Sequence, residues 1–262
     1  MHLLRDKVIF LTGGSRGIGW ECAKKYREEG AFVAIVSNDA PSVKEAITLL
    51  GGEHLGLECD VSQAADVEKA IRLTLERYGR IDVIHNNAGI AHPSRPLHET
   101  GDGEWNNLFD TNLKSIYHTT RYGLDALKAV QGCILNTSSL VGAIGQENHA
   151  AYSATKGAID ALTKSMALDY ARYGIRVNAV SPAGVRTPML REWEDAQPNP
   201  ALMRAYLDGI HVLGYCPEGD VIADACVFLL SDKARFITGH ILPVSGGAEL
   251  GYRRLPGPDQ GK

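Results

Sequence analysis

The sequence predicts an α/β fold, with one doubly wound parallel sheet of about seven strands and helices on both faces. Short apolar runs alternate with segments of helical periodicity along almost the whole chain. Its 262 residues are enough to bury one large core. Because no internal repeat or linker interrupts the alternation, we expect a single domain over 1–262.

Apolar runs bounded by glycine, polar or charged residues predict the strands. In chain order they are 7–12, 32–37, 54–61, 81–89, 133–139, 176–182 and 240–246. Helical periodicity predicts helices over 17–29, 62–78 and 104–130, a short helix before the third strand, and a helix that opens with Tyr152. Strands that are apolar throughout are typical of a parallel sheet covered on both faces.

Two segments depart from this alternation. Residues 183–216 contain Pro188, Pro198 and Pro200 and are long for a connection in a compact domain, so we interpret them as a candidate lid over a site. The C-terminal tail, 248–262, ends in the polar, Pro/Gly-rich stretch "YRRLPGPDQGK". We expect this tail to be frayed or to be held by a neighbouring subunit.

The composition argues against two classes of partner. The net charge is −4 and the pI is near 6.1, and no basic stripe carries aromatic residues, so we expect no nucleic-acid partner. No apolar run is long enough to span a membrane, so we expect no membrane partner. Because Arg5, Asp6 and Lys7 interrupt the N-terminal apolar run, we also expect no signal peptide.

Cysteine and histidine are not spaced as metal ligands. The five cysteines are odd in number and make no C-x-x-C pair, which indicates reduced, mostly buried thiols in a cytoplasmic protein. The nine histidines form no H-x-x-x-H or H-x-H cluster, so we expect no protein-bound metal. We interpret His85, within a predicted strand, as a buried and hydrogen-bonded residue.

The stretch "LTGGSRGIG" (11–19) follows the first strand and opens the first helix. Gly13, Gly17 and Gly19 permit a tight turn and a close approach of phosphate oxygens, and the free N–H groups of the helix start stabilise the anion. Many glycine-rich turns bind nothing. The strand–turn–helix context, however, predicts that this one binds a nucleotide.

Tyr152 and Lys156 stand four positions apart, so they share one face of the predicted helix. Packing explains such a pair, because a half-buried tyrosine beside a lysine with a buried stem is common. In the chemical interpretation, the ammonium lowers the pKa of the phenol, which is ordinarily near ~10. The pair alone leaves both interpretations open.

The spacing G-x-x-x-G-x-G, preceded by Thr12, resembles the turn of the short-chain dehydrogenase/reductase family. The likeness covers nearly the whole chain and implies a Rossmann-like fold. The segments "CDV" (59–61) and "NNAG" (86–89) resemble the parts of that family that contact the adenine and support the cofactor. The family's catalytic tetrad matches Asn112 in "TNLKS", Ser139 in "TSSLVG", Tyr152 and Lys156, in order and in spacing.

The resemblance implies a role for each member of the tetrad. Tyr152 would remove the proton of an alcohol while a hydride leaves the same carbon for the nicotinamide. Ser139 would hydrogen-bond the substrate oxygen. Lys156, together with the positive charge of the nicotinamide, would lower the pKa of Tyr152, and Lys156 would also hold the nicotinamide ribose. Asn112, at an irregularity in its helix, would position a water that relays protons to Lys156.

The resemblance also implies the cofactor site. Its residues are Gly13, Ser15, Arg16, Gly17, Ile18, Gly19, Ser37, Asn38, Asp60, Val61, Asn87, Ala88, Gly89, Tyr152, Lys156, Pro182, Gly184, Val185 and Thr187. Ser37 stands where NAD-preferring relatives have an acid, and Arg16 resembles the basic residue of NADP enzymes, so NADP is favoured. Asn38, where NADP relatives have arginine, and the following Asp39 leave NAD possible.

A narrower likeness points to one branch of the family, which holds the type 14 17β-hydroxysteroid dehydrogenase and L-fucose dehydrogenases. It rests on "SSLVGAIGQ" (138–146), on "TPML" with "PNP" beyond it (187–200), and on "GGAELGY" (246–252). The substrate would then be a secondary alcohol or ketone on a ring. Gln146, His92 and Tyr252, together with Ser139 and Tyr152, would bind that substrate.

Several alternatives stay open at this point. The leading hypothesis is a dehydrogenase of a sugar (an L-fucose-like aldose) or another cyclic polyol, and the alternative substrate is a hydroxysteroid or other hydrophobic alcohol. A protein of another class, a non-catalytic NAD(P)-binding sensor or scaffold, would keep the fold without turnover. The resemblance further implies a homotetramer. In the candidate lid, we interpret Trp193 and Tyr206 as residues that cover the core.

Overall fold

The computed structural model describes residues 2–92 and 94–251. Over these residues the chain forms one seven-stranded parallel sheet. Its strands are β1 (Val8–Thr12), β2 (Phe32–Ser37), β3 (Leu55–Glu58), β4 (Val83–Asn86), β5 (Cys133–Thr137), β6 (Arg176–Pro182) and β7 (Ile241–Val244). They lie in the order β3-β2-β1-β4-β5-β6-β7, so the predicted doubly wound sheet is confirmed.

Helices cover both faces of the sheet. They are α1 (Gly17–Glu28), α2 (Ala40–Leu50), α3 (Ala64–Tyr78), α4 (Asp102–Phe109), α5 (Ser115–Val130), α6 (Ala150–Tyr170), α7 (Pro188–Asp195), α8 (Pro200–Ile210) and α9 (Asp220–Leu230). Successive strand residues enter opposite cores: Ile9 and Leu11 pack with α1 and α9, whereas Phe10 packs with α3 and α5. This two-sided burial explains why the strands are apolar throughout.

A buried chain of amides and hydroxyls ties the central strands to their helices. Asn86 of β4 donates to Asn136 of β5 at 2.9 Å, and Thr119 of α5 donates to Asn86 at 2.7 Å. Asn136 in turn donates to Thr163 of α6 at 2.9 Å. Because buried amides without partners are costly, this chain fixes how the carboxyl ends of β4 and β5 sit against α5 and α6.

The predicted boundaries need three corrections. The strands predicted at 54–61 and 240–246 are shorter in the structure because β3 and β7 are the edge strands and pair on one side only. The strand predicted at 81–89 ends at Asn86, where the chain turns to bond with Thr12. The helix that was expected to open with Tyr152 begins two residues earlier, at Ala150.

The helix predicted over 104–130 is interrupted. A π-helical turn, Asp110–Lys114, separates α4 from α5 and contains Asn112. The irregularity predicted at Asn112 is therefore confirmed.

Residues 183–216, the candidate lid, contain two helices of their own. Thr187 caps α7 by accepting from the Leu190 N–H at 3.2 Å, and Asn199 caps α8 by accepting from the Leu202 N–H at 3.1 Å. A proline follows each cap, at a position where a helix needs no N–H group. These prolines, which suggested an irregular connection, in fact begin helices.

Two expectations from composition can be compared with the structure. All five cysteines are free and buried, which confirms the prediction of buried thiols. Among the helices within 2–92 and 94–251, none combines the length and the apolar character needed to cross a bilayer. Of the predicted tail, 252–262 lies outside the described residues.

Candidate active site

The candidate site lies where the strand order of the sheet reverses. The chain passes from β1 to β2 on one side, whereas β4 lies on the other side of β1. In doubly wound sheets, ligands bind in the crevice beside such a switch point, at the carboxyl ends of the strands. Gly13 follows β1, Asn87 follows β4 and Ser139 follows β5, so three predicted segments meet at this edge.

The glycine turn is held in a conformation that excludes side chains. Gly13 and Gly17 have φ of 63° and 55°, in the left-handed region. A Cβ on Gly19 would lie 2.1 Å from the Gly13 carbonyl oxygen. Arg16, at the N-cap of α1, makes no side-chain cap bond, and the first turn of α1 contains no acid. The turn therefore leaves helix N–H groups for an anion and fits the diphosphate of a dinucleotide.

The segment after β4 is bonded to the glycine turn. Thr12 Oγ1 accepts from the backbone N–H groups of Asn87 and Ala88, each at 3.0 Å. The Asn87 side-chain amide donates to the carbonyls of Thr12 at 3.1 Å and Gly13 at 3.2 Å. These four hydrogen bonds therefore hold the two predicted cofactor segments together.

Tyr152 and Lys156 lie on one face of α6. The Lys156 ammonium is 5.6 Å from the centre of the Tyr152 ring and donates to the Thr137 carbonyl at 2.8 Å. Lys156 is only 4% exposed, and burial lowers its pKa to about 8, although the carboxylate of Asp160 acts in the opposite direction. The lysine is therefore poised to change its protonation near physiological pH.

The surroundings of Tyr152 act on its pKa in two opposite directions. Burial raises the pKa of Tyr152, and the hydrogen bond with Ser139 opposes that rise. The loss of water around the phenol is the larger of these two effects. Ser139 also donates to the Pro182 carbonyl at 3.5 Å, which places its hydroxyl between β5 and β6.

The side chain of Asn112 has partners on two segments. It accepts from the Ile90 N–H at 2.8 Å and donates to the Ile90 carbonyl at 2.9 Å and to Thr155 Oγ1 at 3.1 Å. These bonds fasten the loop after β4 to α6. Asn112 is buried, and its amide oxygen lies close to Gly89. A Cβ built on Gly89 would be 3.2 Å from that oxygen.

The adenosine end of the predicted cofactor site lies at the ends of β2 and β3. The Arg16 guanidinium forms an ion pair with Asp39, and Asp39 also accepts from the Ser42 N–H to cap α2. Ser42 Oγ donates to Ser15 Oγ at 2.9 Å. Ser37 ends β2 and Asp60 follows β3, so the structure brings both to the same end of the sheet. Arg16 already has a partner there.

At the opposite end, the segment after β6 passes over the glycine turn. A Cβ on Gly17 would lie 3.4 Å from Thr187 Cγ2, so the two segments are in contact. Gly184 packs against His211 and Cys216, where a Cβ would meet their side chains at 3.2 and 3.4 Å. Pro182 ends β6, and Val185 lies in the segment that joins β6 to α7.

The substrate residues are placed less closely together. Gln146 and His92 lie exposed on loops, and Tyr252 lies outside the described residues. Sequence reasoning missed His149, whose ring meets Tyr152 edge-on with 6.3 Å between ring centres. Its position three residues before Tyr152, at the start of the same helix, is the signal that could have found it.

The structure confirms one further interpretation and contradicts another. His85 is fully buried with both ring nitrogens hydrogen-bonded, as predicted. Tyr206 is 60% exposed, so the interpretation that it covers the core is wrong; it projects from α8, which lies at the surface. The sequence offered no metal cluster, yet the fold brings donor atoms of Cys22, His85 and Cys226 within 4.8 Å of one another.

Comparison with known proteins shows what this chain is similar to. The family profile described as enoyl-(acyl carrier protein) reductase matches residues 13–249. An L-fucose dehydrogenase of Bos taurus is 40% identical over 251 residues, covering 96% of this chain and 92% of that protein. A 2,5-dichloro-2,5-cyclohexadiene-1,4-diol dehydrogenase of Sphingobium indicum is 35% identical over 249 residues, covering 94% of this chain and 98% of that protein.

A solved structure agrees with the architecture. The ligand-free aldohexose dehydrogenase of Thermoplasma acidophilum superposes with a TM-score of 0.88 at 32% identity. The match covers 96% of this chain and 97% of that one.

Proposed function

The chain belongs to the short-chain dehydrogenase/reductase family, and we propose that it oxidises a ring hydroxyl of a sugar or another cyclic polyol. The chain is an NAD(P)-dependent oxidoreductase that acts on CH–OH groups. Our first choice of substrate is an L-fucose-like aldose. The observation that carries this choice is the 40% identity to an L-fucose dehydrogenase over almost the whole chain. The relatives named for a ring diol and for aldohexoses support the wider class.

We assign the proton transfer to Tyr152 and the orientation of the substrate to Ser139. The hydrogen bond between Tyr152 and Ser139 supports this assignment, because it shows that the two hydroxyls lie close together. A substrate oxygen placed between them would contact both hydroxyls. The bound cofactor supplies the site for the hydride at its nicotinamide. Lys156, held by the Thr137 carbonyl beneath the ring of Tyr152, supplies the positive charge that favours the phenolate. The water relay remains assigned to Asn112.

We propose that the glycine turn holds the diphosphate, Lys156 the nicotinamide ribose and Thr187 the carboxamide. We also propose that NADP is preferred, although NAD remains a possible cofactor. Ser37 offers no carboxylate to repel a 2′-phosphate, which supports the preference. Arg16 must exchange its ion pair with Asp39 for one with the phosphate, so the preference rests on that exchange.

A substrate panel with both cofactors tests the proposal. We expect reduced cofactor to form with L-fucose, D-arabinose or a related aldose, faster with NADP⁺ than with NAD⁺. Tyr152→Phe removes the phenolic hydroxyl and keeps the aromatic ring. It should lower kcat by roughly a hundredfold or more, which is the usual contribution of a general base. Tight cofactor binding without turnover of any alcohol, together with no effect of Tyr152→Phe, would instead support a sensor.

A hydrophobic secondary alcohol is the second candidate, and the lid favours it. Residues 183–216 expose apolar side chains, namely Leu202, Tyr206, Val212, Leu213 and Tyr215. Such side chains suit a steroid-like substrate better than a sugar. An oestrogenic steroid therefore belongs in the panel. A kcat/KM for it above that of every sugar would favour this candidate.

We also propose that 183–216 is the substrate lid. Arg186 connects the two helices of this segment: its guanidinium forms ion pairs with the buried Glu194 of α7 at 3.3 Å and with Asp208 of α8 at 2.7 Å. Two helices held in this way can close as one body. We further propose a homotetramer, as family likeness implies. The fully exposed Phe236 and the largely exposed Leu168 suit a subunit contact, and light scattering measures the mass.

A further inference from the structure

Four buried polar side chains meet on the face of the sheet that α1 and α9 cover. Cys22 and Tyr26 come from α1, His85 from β4 and Cys226 from α9, and each is 0% exposed. The Tyr26 hydroxyl lies 2.9 Å from His85 Nδ1, and His85 Nε2 lies 3.0 Å from Thr137 Oγ1. The proposed mechanism uses none of these four groups. The His85 imidazole nevertheless links this group of side chains to Thr137 of β5.

The direction of each hydrogen bond can be assigned from one end of this chain. The Asn87 side chain faces the carbonyls of Thr12 and Gly13. Because carbonyl oxygens only accept hydrogen bonds, the NH₂ group of Asn87 must be the part that faces them. Its amide oxygen therefore accepts from Thr137 Oγ1, at 3.3 Å. Having given its proton to Asn87, Thr137 Oγ1 must accept from His85 Nε2.

His85 consequently carries its proton on Nε2, and Nδ1 accepts from the Tyr26 hydroxyl. Burial lowers the pKa of His85 to about 3, so the ring is neutral at physiological pH. A neutral imidazole has one donor and one acceptor, and here both are used. Rotation of the His85 ring or of the Thr137 hydroxyl would therefore leave a buried polar atom without a hydrogen bond.

Thr137 joins this chain to the candidate active site by two routes. Its backbone carbonyl accepts from Lys156 Nζ at 2.8 Å. Its hydroxyl orients Asn87, which donates to the glycine turn. A shift of Thr137 therefore moves the lysine and the turn together.

We propose that His85 is a positioning residue that holds Thr137, and through it Lys156 and the glycine turn. The inference rests on the proposed roles of Lys156 and of the turn. It adds to them a neutral, single-tautomer histidine that is fully buried on the face of the sheet that α1 and α9 cover.

The cluster has one competing interpretation. Two cysteines and a histidine are a donor set that Zn²⁺ prefers. However, metal binding needs thiolates, and burial raises the pKa of Cys226 far above its ordinary value. His85 Nδ1, the nitrogen left for a metal, already accepts from Tyr26. We therefore favour the hydrogen-bonded interpretation, and metal analysis of the purified protein decides between the two.

Three variants and one spectroscopic measurement test the proposal. His85→Leu removes both bonds, His85→Gln restores a donor toward Thr137, and Ile84→Ala weakens the same strand from its other face. We expect His85→Leu to weaken cofactor binding in a fluorescence titration and to lower kcat/KM roughly fivefold to tenfold, because of its two lost bonds only the one to Thr137 leads to the site. The acidic limb of its pH profile should move to higher pH, because a displaced Lys156 stabilises the phenolate less.

His85→Gln should recover most of both losses, and Ile84→Ala should lower Tm with wild-type kinetics. In the wild type, nitrogen NMR of labelled histidine should show the Nε2–H tautomer throughout the folded pH range. This measurement and the Gln variant decide the matter if His85→Leu does not fold.

The proposal is overturned by an Nδ1–H tautomer, by one bound metal per chain, or by equal kinetics of His85→Leu and Ile84→Ala. Failure of the proposed function looks different. There, Tyr152→Phe keeps its activity, while the tautomer and the cofactor affinity of the His85 variants still report on the positioning role.

Discussion

Asp160 lies one turn after Lys156 on α6 and shares the hydroxyl of Ser138, which donates to its carboxylate at 2.5 Å. Burial lowers the pKa of Lys156 to about 8, and the carboxylate limits that fall. A single carboxylate that touches neither reacting side chain thus moderates the effect of burial on Lys156. Ser138, beside Ser139 in sequence, belongs to this second layer because adjacent side chains on an extended backbone point apart.

Replacing the carboxylate of Asp160 tests this coupling. Asp160→Asn keeps an acceptor for Ser138 but removes the charge, so the pKa of Lys156 should fall below about 8. The alkaline limb of kcat/KM then moves to lower pH, and activity on that limb falls by less than about tenfold, the effect of one pKa unit. Asp169→Asn, exposed on the same helix, is the control; an equal change in both variants contradicts the coupling.

Cofactor preference is also decided by single residues. Ser37→Asp places a carboxylate at the end of β2, where it repels a 2′-phosphate, and should shift the ratio of kcat/KM toward NAD⁺ by about tenfold or more, near 1.4 kcal/mol. Ser37→Ala controls for the lost hydroxyl. Asp39→Asn frees Arg16 and should shift the ratio toward NADP⁺. A wild type that uses NAD⁺ equally well or better refutes the preference.

At the scale of elements, the first strand–turn–helix unit depends on contacts that only glycine allows. The Gly19 backbone is packed against the Gly13 carbonyl and the Asn87 amide, where a Cβ would lie at 2.1 and 2.5 Å. The turn, β1 and the segment after β4 therefore have one arrangement. Gly19 is therefore needed for the close approach of its backbone to Gly13 and Asn87, and not for flexibility of the turn.

Gly19→Ala should consequently disturb the turn. We expect a lower Tm, with a loss of about 1–3 kcal/mol from overpacking, and a cofactor affinity reduced by more than about tenfold. Gly103→Ala in α4 is the matched control, because a Cβ there meets nothing within 4 Å and should leave stability unchanged or slightly higher. Wild-type cofactor affinity in Gly19→Ala would show that the turn does not bind the cofactor.

At the scale of the whole molecule, one buried histidine makes stability depend on pH. The pKa of His85 is about 3 in the fold, against an ordinary value near ~6.5 in the unfolded chain. Between these values the unfolded chain binds more protons than the folded protein, so stability rises with pH across this window. Acid therefore favours unfolding through His85 well before the cluster itself is protonated.

Urea unfolding at a series of pH values measures this effect. From about pH 6.5 downward, the wild type should lose up to about 1.4 kcal/mol per pH unit through this one group. His85→Leu, less stable at neutral pH, should lack this part of the slope. Identical slopes in both proteins would show that His85 is protonated in the folded state.

Much of the architecture follows from local patterns. The strands read as unbroken apolar runs because both faces of the sheet are covered, and each run falls on an observed strand. The glycine spacing predicted the first turn, since its conformation is set within a few residues. Tyr152 and Lys156 were placed on one helical face for the same reason, because a turn of helix relates them whatever surrounds it.

Contacts between distant segments could not be predicted in this way. The pKa of Tyr152 is raised by burial, and the spacing of Tyr152 and Lys156 does not record how much water the folded site excludes. The ion pair between Arg16 and Asp39 joins residues from two different strand–helix units. His149 is a local exception: it stands three residues before Tyr152, but the helix was predicted to begin at Tyr152, which left His149 out.

By itself, then, the sequence determined the order and type of the elements and the local motifs, which are set by periodicity and turn chemistry over a few residues. Only the tertiary structure decided which polar groups share a buried environment: Thr137 with Lys156, Asn112 with Ile90, and His85 with Tyr26. The reason is physical. Burial and hydrogen-bond direction are properties of groups brought together across the sheet, and no local pattern records them.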